Sequence, residues 1–404
     1  MRLIYISRFQ FKKVNDNIYS LPAYGNGFWD KYLDVFDTIH VIGEPVKAYL
    51  DNGTMVKLTD KRITVDIIPS VERPKELINY HKVAKYLEKN IRREKSSAFL
   101  VKPSSRKGLF AIKCCEKYKK PYMIEMTGDV KTTLDERKSI LFSLYGSYLY
   151  NRTLKGIRNC KFGLYVTEQY LQSKYPISGV MCGCTDSIIP KPEDNILEKR
   201  IKKINEKKQT LIIGLIGYYH DTRKGIDSAI DALKIINNSS DKVYQLHILG
   251  VGTEEDREKW RTYAAQRNVD RFLLFPHPLN GSREVANWID TVDLVILPSR
   301  SEGFPRAIAE SMSRACPAVT SNVCGLQEMV DEKWQHNPGD YKELADKILK
   351  ITGDLVLMQE AAEYNLKKAE KYDFEYLRVK RNNFLNEFRN YSEDLYKSQK
   401  KALD

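Results

Sequence analysis

The chain has 404 residues, of which 42% are hydrophobic, and a formal net charge of +13. This length suits two domains of about 200 residues, each with its own packed core, rather than a disordered chain. No apolar run approaches the ~18 residues of a spanning helix, and the seven cysteines, an odd number without zinc-site spacing, favour a reduced cytoplasmic protein.

The positive charge is concentrated in the first half of the chain. Residues 1–190 contain 32 Lys and Arg against 19 Asp and Glu, so this half carries the whole excess. A basic half of this kind attracts nucleic acid, an anionic membrane or a phosphorylated substrate. The charge alone leaves these three partners open.

The first half predicts strands that alternate with helices. The predicted strands are Leu3–Ser7, Thr38–Ile42, Thr64–Ile68, Phe99–Val101, Tyr122–Met126 and Phe162–Val166. This alternation is typical of a parallel sheet covered by helices on both faces. Since the first strand begins at once, we expect no signal peptide before the fold.

Residues 76–95 predict an amphipathic helix. Its apolar positions, spaced by three and four, are Leu77, Tyr80, Ala84, Leu87 and Ile91. Its opposite face carries Lys82, Lys85, Lys89 and Arg93. Two interpretations of that face remain open. It is either a solvated helix surface or a contact with an anionic bilayer, where each basic residue contributes about 1 kcal/mol.

The boundary between the halves is predicted at residues 191–208, a polar linker that follows a proline. An N-terminal domain at 1–190 and a C-terminal domain at 209–375 result, followed by a helical tail at 376–404. The C-terminal strands are predicted at Leu211–Leu215, Tyr244–Leu249, Phe272–Phe275, Leu294–Leu297 and Ala318–Ser321, with helices such as 226–236 and 254–266 between them.

Two glutamates in the C-terminal half indicate a binding site. Glu302 follows the strand at 294–297, and Glu310 is expected about two turns into a helix that Pro305 starts. Ligands bind at the carboxyl ends of strands in such sheets, and helix N-termini favour negative charge there. This arrangement suits a ligand with hydroxyls and phosphates, although an ordinary strand–helix unit with a capped helix is the plainer interpretation.

The order Glu302, Gly303, Phe304, Pro305 and Glu310 resembles the donor site of the retaining glycosyltransferases of family 4. The resemblance covers most of residues 205–375 and, more weakly, the N-terminal half. It implies an α/β protein with the GT-B fold, two Rossmann-like doubly wound domains facing a central cleft. The helical tail would then cross back to the N-terminal domain.

The same resemblance implies roles for these residues. Glu310 would accept hydrogen bonds from ribose hydroxyls, and Glu302 would contact the transferred sugar. Gly303, Phe304 and Pro305 would cradle that sugar through backbone groups. Charged acceptors of this kind make stronger hydrogen bonds than neutral ones.

A second part of the resemblance concerns the phosphates of the donor. Arg223 and Lys224 open the helix that follows Gly217, and a helix start beside cations is a typical anion site. By resemblance they bind the donor diphosphate. Gly250 is either part of the family's glycine turn or a plain turn, and the loop of His277 would contact the nucleobase. Since no Asp-x-Asp sequence occurs, we expect these cations, not a metal, to stabilise the diphosphate.

The acceptor side is predicted in the N-terminal half. Gly25 and Gly27 lie in a loop, expected to be flexible, that is a candidate to cover acceptor or donor phosphates. Glu125 and Asp129 follow a predicted strand and are candidates for acceptor binding and catalysis, although a structural role is open for each. Many family members have a histidine near this point, and this chain resembles instead the polysaccharide-assembly members.

These features predict a retaining, metal-independent glycosyltransferase with a UDP- or GDP-linked sugar as donor and no cofactor. The expected acceptor is polyprenyl-linked or a growing surface polysaccharide, at the inner face of the plasma membrane. Two alternatives remain: a soluble sugar or sugar-phosphate glycosyltransferase, and a non-catalytic protein that binds nucleotide sugars or nucleic acid. Few aromatic residues accompany the basic helix, so no nucleic acid is expected.

Overall fold

The computed structural model describes residues 1–47, 55–129, 131–132, 140–185, 187, 189, 191–279 and 281–402. The chain divides into two compact units. The first consists of 1–131, 140–184 and 378–404, and the second of 132–139 and 185–377. Each unit contains a largely parallel sheet with helices, as expected for an α/β protein.

The described residues of the first unit form nine strands. They are β1 (Arg2–Val14), β2 (Asn17–Ser20), β3 (Thr38–Pro45), β4 (Val56–Lys57), β5 (Ile63–Ile67), β6 (Ser97–Val101), β7 (Tyr122–Met126), β8 (Phe162–Tyr165) and β9 (Val180–Gly183). Seven of them pair in parallel in the order β5-β3-β1-β6-β7-β8-β9, while β2 and β4 extend β1 in antiparallel fashion. The central β6 is buried along its whole length, which is typical of a parallel sheet covered on both faces.

The described part of the first unit contains five helices. They are α1 (Asp30–Leu33), α2 (Tyr80–Arg93), α3 (Arg106–Lys117), α4 (Ile140–Ile157) and α5 (Tyr170–Lys174). The predicted helix at 76–95 is shorter than expected because Pro74–Asn79 form a 3₁₀ helix. Because a 3₁₀ helix has three residues per turn instead of 3.6, the side chains of that segment do not continue the apolar face of α2. Leu77, a predicted core position, is accordingly 39% exposed.

In the second unit, the part that the structure describes has six parallel strands. They are β10 (Thr210–Ile216), β11 (Val243–Leu249), β12 (Leu273–Leu274), β13 (Leu294–Leu297), β14 (Ala318–Ser321) and β15 (Gln335–His336), paired in the order β12-β11-β10-β13-β14-β15. The strand predicted at 272–275 is reduced to two residues because Asp270–Phe272 form a 3₁₀ turn. Its position at the sheet edge tolerates so short a strand.

Eight further helices complete the described chain. They are α6 (Ile196–Ile204), α7 (Ile226–Asn238), α8 (Glu254–Ala265), α9 (Ser282–Thr291), α10 (Arg306–Ser313), α11 (Tyr341–Gly353), α12 (Leu355–Ala369) and α13 (Phe374–Lys401). From residue 378 onwards the last helix groups with the first unit. There Arg378 pairs with Asp34 at 2.9 Å, and the Tyr396 hydroxyl donates to the Ser97 carbonyl at 2.9 Å.

The segment predicted as a linker differs from that expectation, because α6 lies in it and packs within the second unit. Ile196, Arg200 and Ile204 are buried at a spacing of four residues. Arg200 donates to the carbonyl oxygens of Val292 at 2.7 Å and Ile289 at 3.0 Å. Charged residues such as those of 191–208 are compatible with a packed helix when long side chains find backbone acceptors.

Candidate active site

The second unit has a topological switch point between β10 and β13. From β10 the chain proceeds to β11 and β12 on one side, and β13 returns to the other side of β10. Loops that leave adjacent strands in opposite directions open a crevice at their carboxyl ends, where ligands bind. The loop after β10 carries Arg223 and Lys224, and the loop after β13 carries Glu302. The structure therefore brings these three predicted residues to one switch point.

An ion pair joins the two loops. The Lys224 Nζ donates to Glu302 Oε1 at 2.6 Å, and the Ser299 hydroxyl donates to the same oxygen at 2.7 Å. The side chain of Glu302 is 9% exposed and that of Lys224 20% exposed. The two bonds to Oε1 fix the orientation of the Glu302 carboxylate. Its other oxygen, Oε2, accepts from neither Lys224 nor Ser299. Ser299 was not predicted as a site residue, although it lies two residues after the end of the strand that precedes Glu302.

Arg300 fastens the same two loops together. Its backbone N–H donates to the Arg223 carbonyl at 2.7 Å, and its Nη1 donates to the Thr222 carbonyl at 2.8 Å. Its guanidinium also binds both carboxylate oxygens of Asp227, at 2.6 and 3.0 Å. Bidentate pairs of this kind fix geometry well. The sequence carried no signal for Arg300, since its partners lie more than 70 residues away.

Arg223 has a different partner from Lys224. Its guanidinium donates to the two oxygens of Asp221, at 2.9 and 2.8 Å, while its side chain is 51% exposed. Burial raises the pKa of Asp221, but the hydrogen bonds from Arg223 outweigh it and bring that pKa below its usual value. A phosphate that binds Arg223 would thus compete with the charged carboxylate of Asp221. The role of Arg223 at the diphosphate stays a prediction.

The predicted glycines let two loops approach each other. Gly217 donates its N–H to the Leu249 carbonyl at 3.0 Å, and a Cβ on Gly250 would lie 1.8 Å from the Gly217 carbonyl oxygen. No side chain fits at that distance. Gly217 also contacts the aliphatic part of Lys224, where an added Cβ would lie 3.0 Å from Cγ. Gly250 therefore adjoins the loop that positions Lys224.

Glu310 lies nearer the helix start than predicted. Helix α10 begins at Arg306, with Pro305 at the N-cap, so Glu310 is the fifth helical residue and not two turns in. Its side chain is 12% exposed and accepts a hydrogen bond from the Arg306 Nε at 2.8 Å. Burial raises the pKa of Glu310, and Arg306 opposes that increase. Arg306 also donates to the Ser282 hydroxyl at 3.2 Å. The sequence analysis did not predict Arg306 as a site residue.

The remaining predicted donor residues are arranged less closely. Gly303 is half-buried, and the Phe304 ring packs edge-on against Tyr372 with centroids 5.2 Å apart. The carbonyls of Phe304 and Pro305 accept hydrogen bonds from the first turn of α10. His277 is exposed and follows β12, which β11 separates from β10. A nucleobase contact from the loop of His277 stays a prediction.

In the first unit, Glu125 is enclosed by donors. It accepts hydrogen bonds from the hydroxyls of Tyr5 and Tyr32, the latter at 2.7 Å, and lies 3.5 Å from the Lys102 Nζ. Its side chain is 1% exposed. Lys102 follows β6 at the switch point between β1 and β6, and its Nζ lies 4.6 Å from the centre of the Phe9 ring. Lys102, Tyr5 and Tyr32 were not predicted as site residues.

The loop with Gly25 and Gly27 is not loose. Gly25 separates two 3₁₀ turns, at Pro22–Tyr24 and Asn26–Phe28, and the Asn26 side chain bonds to the backbone of Lys57 and Thr59. These contacts and stacked aromatic rings hold the loop against the sheet. Trp29, which ends it, packs edge-on against the Tyr5 ring with centroids 5.8 Å apart, so the loop and Glu125 share one aromatic neighbour.

Asp129 is held by a separate network. It accepts hydrogen bonds from Tyr175 at 2.8 Å and Tyr170 at 3.2 Å, and pairs with Lys174 at 3.0 Å. Burial lowers the pKa of Lys174, but the bonds to Tyr170 and Asp129 raise it by more than burial lowers it. The net shift of this pKa is therefore upward. With a side chain 1% exposed, Asp129 ties α5 to the end of β7, and its acceptor role stays a prediction.

The predicted basic face of α2 is exposed at Lys82, Lys85, Lys89 and Arg93. A surface concavity between α2 and α3 adds further charges to it. Its lining consists of Lys85, Glu88, Lys89, Arg92, Arg93, Lys117 and Tyr118. Glu88 pairs with Lys117 at 2.7 Å and offsets one of the five cations. The positive surface is therefore broader than the sequence indicated.

Among the described residues, no group of three or more His, Cys, Asp or Glu side chains is arranged to hold a metal ion. None of the helices within this part of the chain combines the length and apolarity needed to cross a bilayer.

Part of the second unit matches a known family model. Residues 210–354 match the family model described as "Glycosyl transferases group 1". This range contains the switch point and every predicted donor residue. The match confirms the prediction of a glycosyltransferase domain, while family 4 in particular stays a resemblance.

Several curated proteins are similar to this chain. Protein CapJ of Staphylococcus aureus is 29% identical over 98% of both chains. The capsular polysaccharide biosynthesis glycosyltransferase CapM of S. aureus is 25% identical and covers 44% of this chain and 46% of its own length. An Escherichia coli UDP-Gal:alpha-D-GlcNAc-diphosphoundecaprenol alpha-1,3-galactosyltransferase is 26% identical, over 42% of this chain and 46% of its own. The last two matches span less than half of either relative.

Solved structures show the same fold at low sequence identity. An α,α-trehalose 6-phosphate synthase from Burkholderia multivorans has a TM-score of 0.66 at 12% identity and covers 98% of both chains. Anabaena HepE in complex with UDP-glucose has a TM-score of 0.61 at 15% identity, over 97% of this chain and 100% of that one. These likenesses confirm the predicted GT-B fold.

Proposed function

We propose, from the premise that residues 210–354 form a group 1 glycosyltransferase domain on the GT-B fold, that this chain extends a surface polysaccharide or its lipid-linked precursor. The donor is a nucleotide sugar, UDP- or GDP-linked. The glycosidic configuration is retained, and the reaction takes place on the cytoplasmic side of the membrane.

The arrangement of Lys224, Glu302 and Ser299 supports this proposal more than any other observation. It places a cation and an oriented carboxylate on facing loops of the switch point, 2.6 Å apart. A donor diphosphate would take the ammonium of Lys224 as its counter-charge, and Oε2 of Glu302 would accept a hydroxyl of the sugar. Charge stabilisation by preorganised groups is usually the largest single contribution to catalysis.

The acceptor class is supported by the printed names of the relatives. CapM is named for capsular polysaccharide biosynthesis, and the E. coli relative for a diphosphoundecaprenol-linked acceptor. In the first unit, Glu125 would act as a positioning residue, because Tyr5, Tyr32 and Lys102 surround it. It would orient the Lys102 ammonium at the carboxyl end of β6, where an acceptor phosphate would bind.

The first experiment incubates the purified full chain with separate UDP- and GDP-sugars and measures release of the nucleoside diphosphate. Binding of each sugar nucleotide is followed by mass spectrometry. With a polyprenyl-diphosphate-linked sugar as acceptor, the product's anomeric configuration is read by NMR. We expect one preferred donor and a retained configuration. Binding without turnover on any acceptor would favour the non-catalytic alternative, and an inverted product would refute retention.

Metal independence is a prediction of its own. Turnover should be unchanged in excess EDTA, because Lys224 and the helix starts beside it supply the positive charge that a metal would otherwise provide. The measurement is the initial rate with EDTA, with EDTA plus Mg²⁺, and with EDTA plus Mn²⁺. A rate that disappears in EDTA and returns with either metal would show that the diphosphate needs a divalent cation.

A further prediction concerns the basic face of α2. We expect binding to phosphatidylglycerol-rich vesicles at low salt, little binding to neutral vesicles, and release at about 0.5 M NaCl, because screening shortens electrostatic reach. A variant with Lys82, Lys85, Lys89 and Arg93 replaced by Glu should keep donor hydrolysis and lose most vesicle binding in flotation assays.

If that variant floats with anionic vesicles as well as the unaltered protein does, the face is only solvated. That result would favour the alternative of a soluble sugar-phosphate acceptor. The concavity between α2 and α3, with four cations besides the paired Lys117, is the observation that favours this alternative. Inhibition of turnover by free sugar phosphates, unaffected by vesicles, would support it.

A further inference from the structure

The N-terminal half of α4 exposes a set of large apolar side chains. Ile140, Leu144 and Tyr148 recur every four residues, a spacing that places them on one side of a helix. They are 82%, 64% and 54% exposed. Phe142, two residues from both Ile140 and Leu144 and therefore on another side of the helix, is 39% exposed. We call Ile140, Leu144 and Tyr148 the α4 stripe. Contiguous exposed apolar residues, unlike scattered ones, mark an interaction site.

The other half of α4 is packed in the usual way. Thr153 and Ile157 are buried. Gly156 faces Leu109 of α3 so closely that a Cβ there would lie 2.7 Å from the leucine Cδ2. The helix is therefore anchored to the first unit at its C-terminal end, and the exposed apolar side chains are confined to its other end.

Two arginines border the α4 stripe. Arg106 donates to the Tyr145 hydroxyl at 2.7 Å, and Arg152 donates to the Tyr148 hydroxyl at 3.4 Å. The rings of Tyr145 and Tyr148 stack with centroids 6.3 Å apart. Apolar side chains with tyrosine hydroxyls and guanidinium groups at their border match the headgroup region of an anionic bilayer, where tyrosine prefers the interface and arginine meets phosphates.

The composition of α4 sets the depth of such a contact. Ser143, Ser147 and Asn151 interrupt its apolar residues, and no helix in the described ranges is apolar and long enough to span a bilayer. A helix of this kind lies in the plane of the interface with its apolar side chains among the upper acyl chains.

We propose that the α4 stripe inserts into the interface of an anionic bilayer and forms a second membrane contact beside the basic face of α2. The inference rests on the proposed function at a membrane surface. The basic face attracts phosphates through charge, whereas the α4 stripe adds apolar contact. Single weak membrane signals give reversible binding, and two together give stable association. Binding at low salt therefore depends on both surfaces.

The first test places a fluorescent reporter in the stripe. The native tryptophans, Trp29, Trp260, Trp288 and Trp334, are at most 9% exposed, so lipid-borne quenchers reach them poorly. The Leu144→Trp variant is mixed at low salt with phosphatidylglycerol/phosphatidylcholine vesicles whose acyl chains are brominated near the headgroup. We expect blue-shifted, strongly quenched emission. Val356→Trp, at a position 61% exposed in the second unit, is the matched control and should be neither shifted nor quenched.

The second test removes the apolar surface. Ile140, Leu144 and Tyr148 are replaced together by Ser. The matched control replaces Leu355, Val356 and Val379, which are 47%, 61% and 58% exposed, by Ser as well. We expect the first variant to keep donor hydrolysis and to lose about tenfold in vesicle partitioning at low salt. The control should partition like the unaltered protein.

Three outcomes would overturn the proposal: an unquenched Leu144→Trp variant, unchanged partitioning of the triple-serine variant of the α4 stripe, or conversion of a dimer to a monomer by that variant in sedimentation. The last would assign the α4 stripe to a contact between two copies of the chain. The vesicle measurements do not depend on turnover. A protein that binds vesicles but hydrolyses no donor would therefore refute the proposed catalytic activity, whereas the proposed membrane contact of the α4 stripe would still hold.

Discussion

Replacing Lys224 by alanine should lower donor turnover by about tenfold or more without unfolding the protein, and Glu310→Ala should do the same. Lys224 is the cation that the structure pairs with Glu302, so its loss leaves a carboxylate of 9% exposure without that partner. Under the proposed function that loss would also remove the counter-charge of the diphosphate. Loss of Glu310 would then remove the proposed charged acceptor for ribose hydroxyls, at a cost of about 1.5–3 kcal/mol of binding.

The measurement compares kcat/KM for nucleotide-sugar hydrolysis and the affinity for the free nucleoside diphosphate, with thermal unfolding as a check on folding. Lys234→Ala is the matched control, since Lys234 is an exposed lysine on α7, the helix that follows Lys224. It should behave like the unaltered protein. If Lys224→Ala or Glu310→Ala retains full turnover and affinity, the site assignment is wrong.

Gly225→Ala should have an equally large effect through the backbone. Gly225 has φ of +70°, which strains any residue with a Cβ, and that Cβ would lie 2.1 Å from the Pro298 carbonyl oxygen. The loops after β10 and β13 would have to separate, and the bond between Lys224 and Glu302 spans them. We expect donor turnover to fall by about tenfold or more and unfolding free energy to fall by more than the ~1–2 kcal/mol of left-handed strain alone.

Gly339→Ala separates the effect of left-handed backbone strain from the effect of the close approach to Pro298. Gly339 has φ of +80°, but a Cβ there would meet nothing within 4 Å. It should therefore show the strain alone, about 1–2 kcal/mol of unfolding free energy, with normal turnover. Denaturant unfolding and initial rates of the two variants give the comparison. Equal losses in both would mean that the close approach of Gly225 to Pro298 does not hold the loops.

The loop and helix that carry Glu302 and Glu310 were predictable from the sequence because their signals are local. The two glutamates are eight residues apart, Glu302 in the loop after a recognisable strand and Glu310 on the helix that follows. The group 1 family match covers the same region and confirms the glycosyltransferase prediction. A strand followed by a helix start places its loop at the carboxyl edge of the sheet whatever the rest of the chain does. The fold class followed from the same repeated pattern of strands and helices.

Contacts between distant residues were decided only by the tertiary structure. Lys224 and Glu302 are 78 residues apart, and Glu125 receives hydrogen bonds from tyrosines 120 and 93 residues away. The sequence marked Glu125 as a candidate for catalysis, but it could not show that two hydroxyls and a lysine enclose it. Hydrogen-bond partners depend on which strands become neighbours, and one strand's sequence does not encode its neighbours.

The α4 stripe shows the same limit for surfaces. An apolar helix has the same local pattern whether its side chains are packed in a core or face solvent, because periodicity determines which residues share a side and not what covers that side. Only the packing of Gly156 against Leu109 reveals that one end of α4 is anchored while Ile140 and Leu144 at the other end are exposed. The sequence by itself therefore determined the fold class and the glycosyltransferase prediction. The tertiary structure decided which groups pair and which apolar side chains stay exposed, since both depend on contacts between segments far apart in the chain.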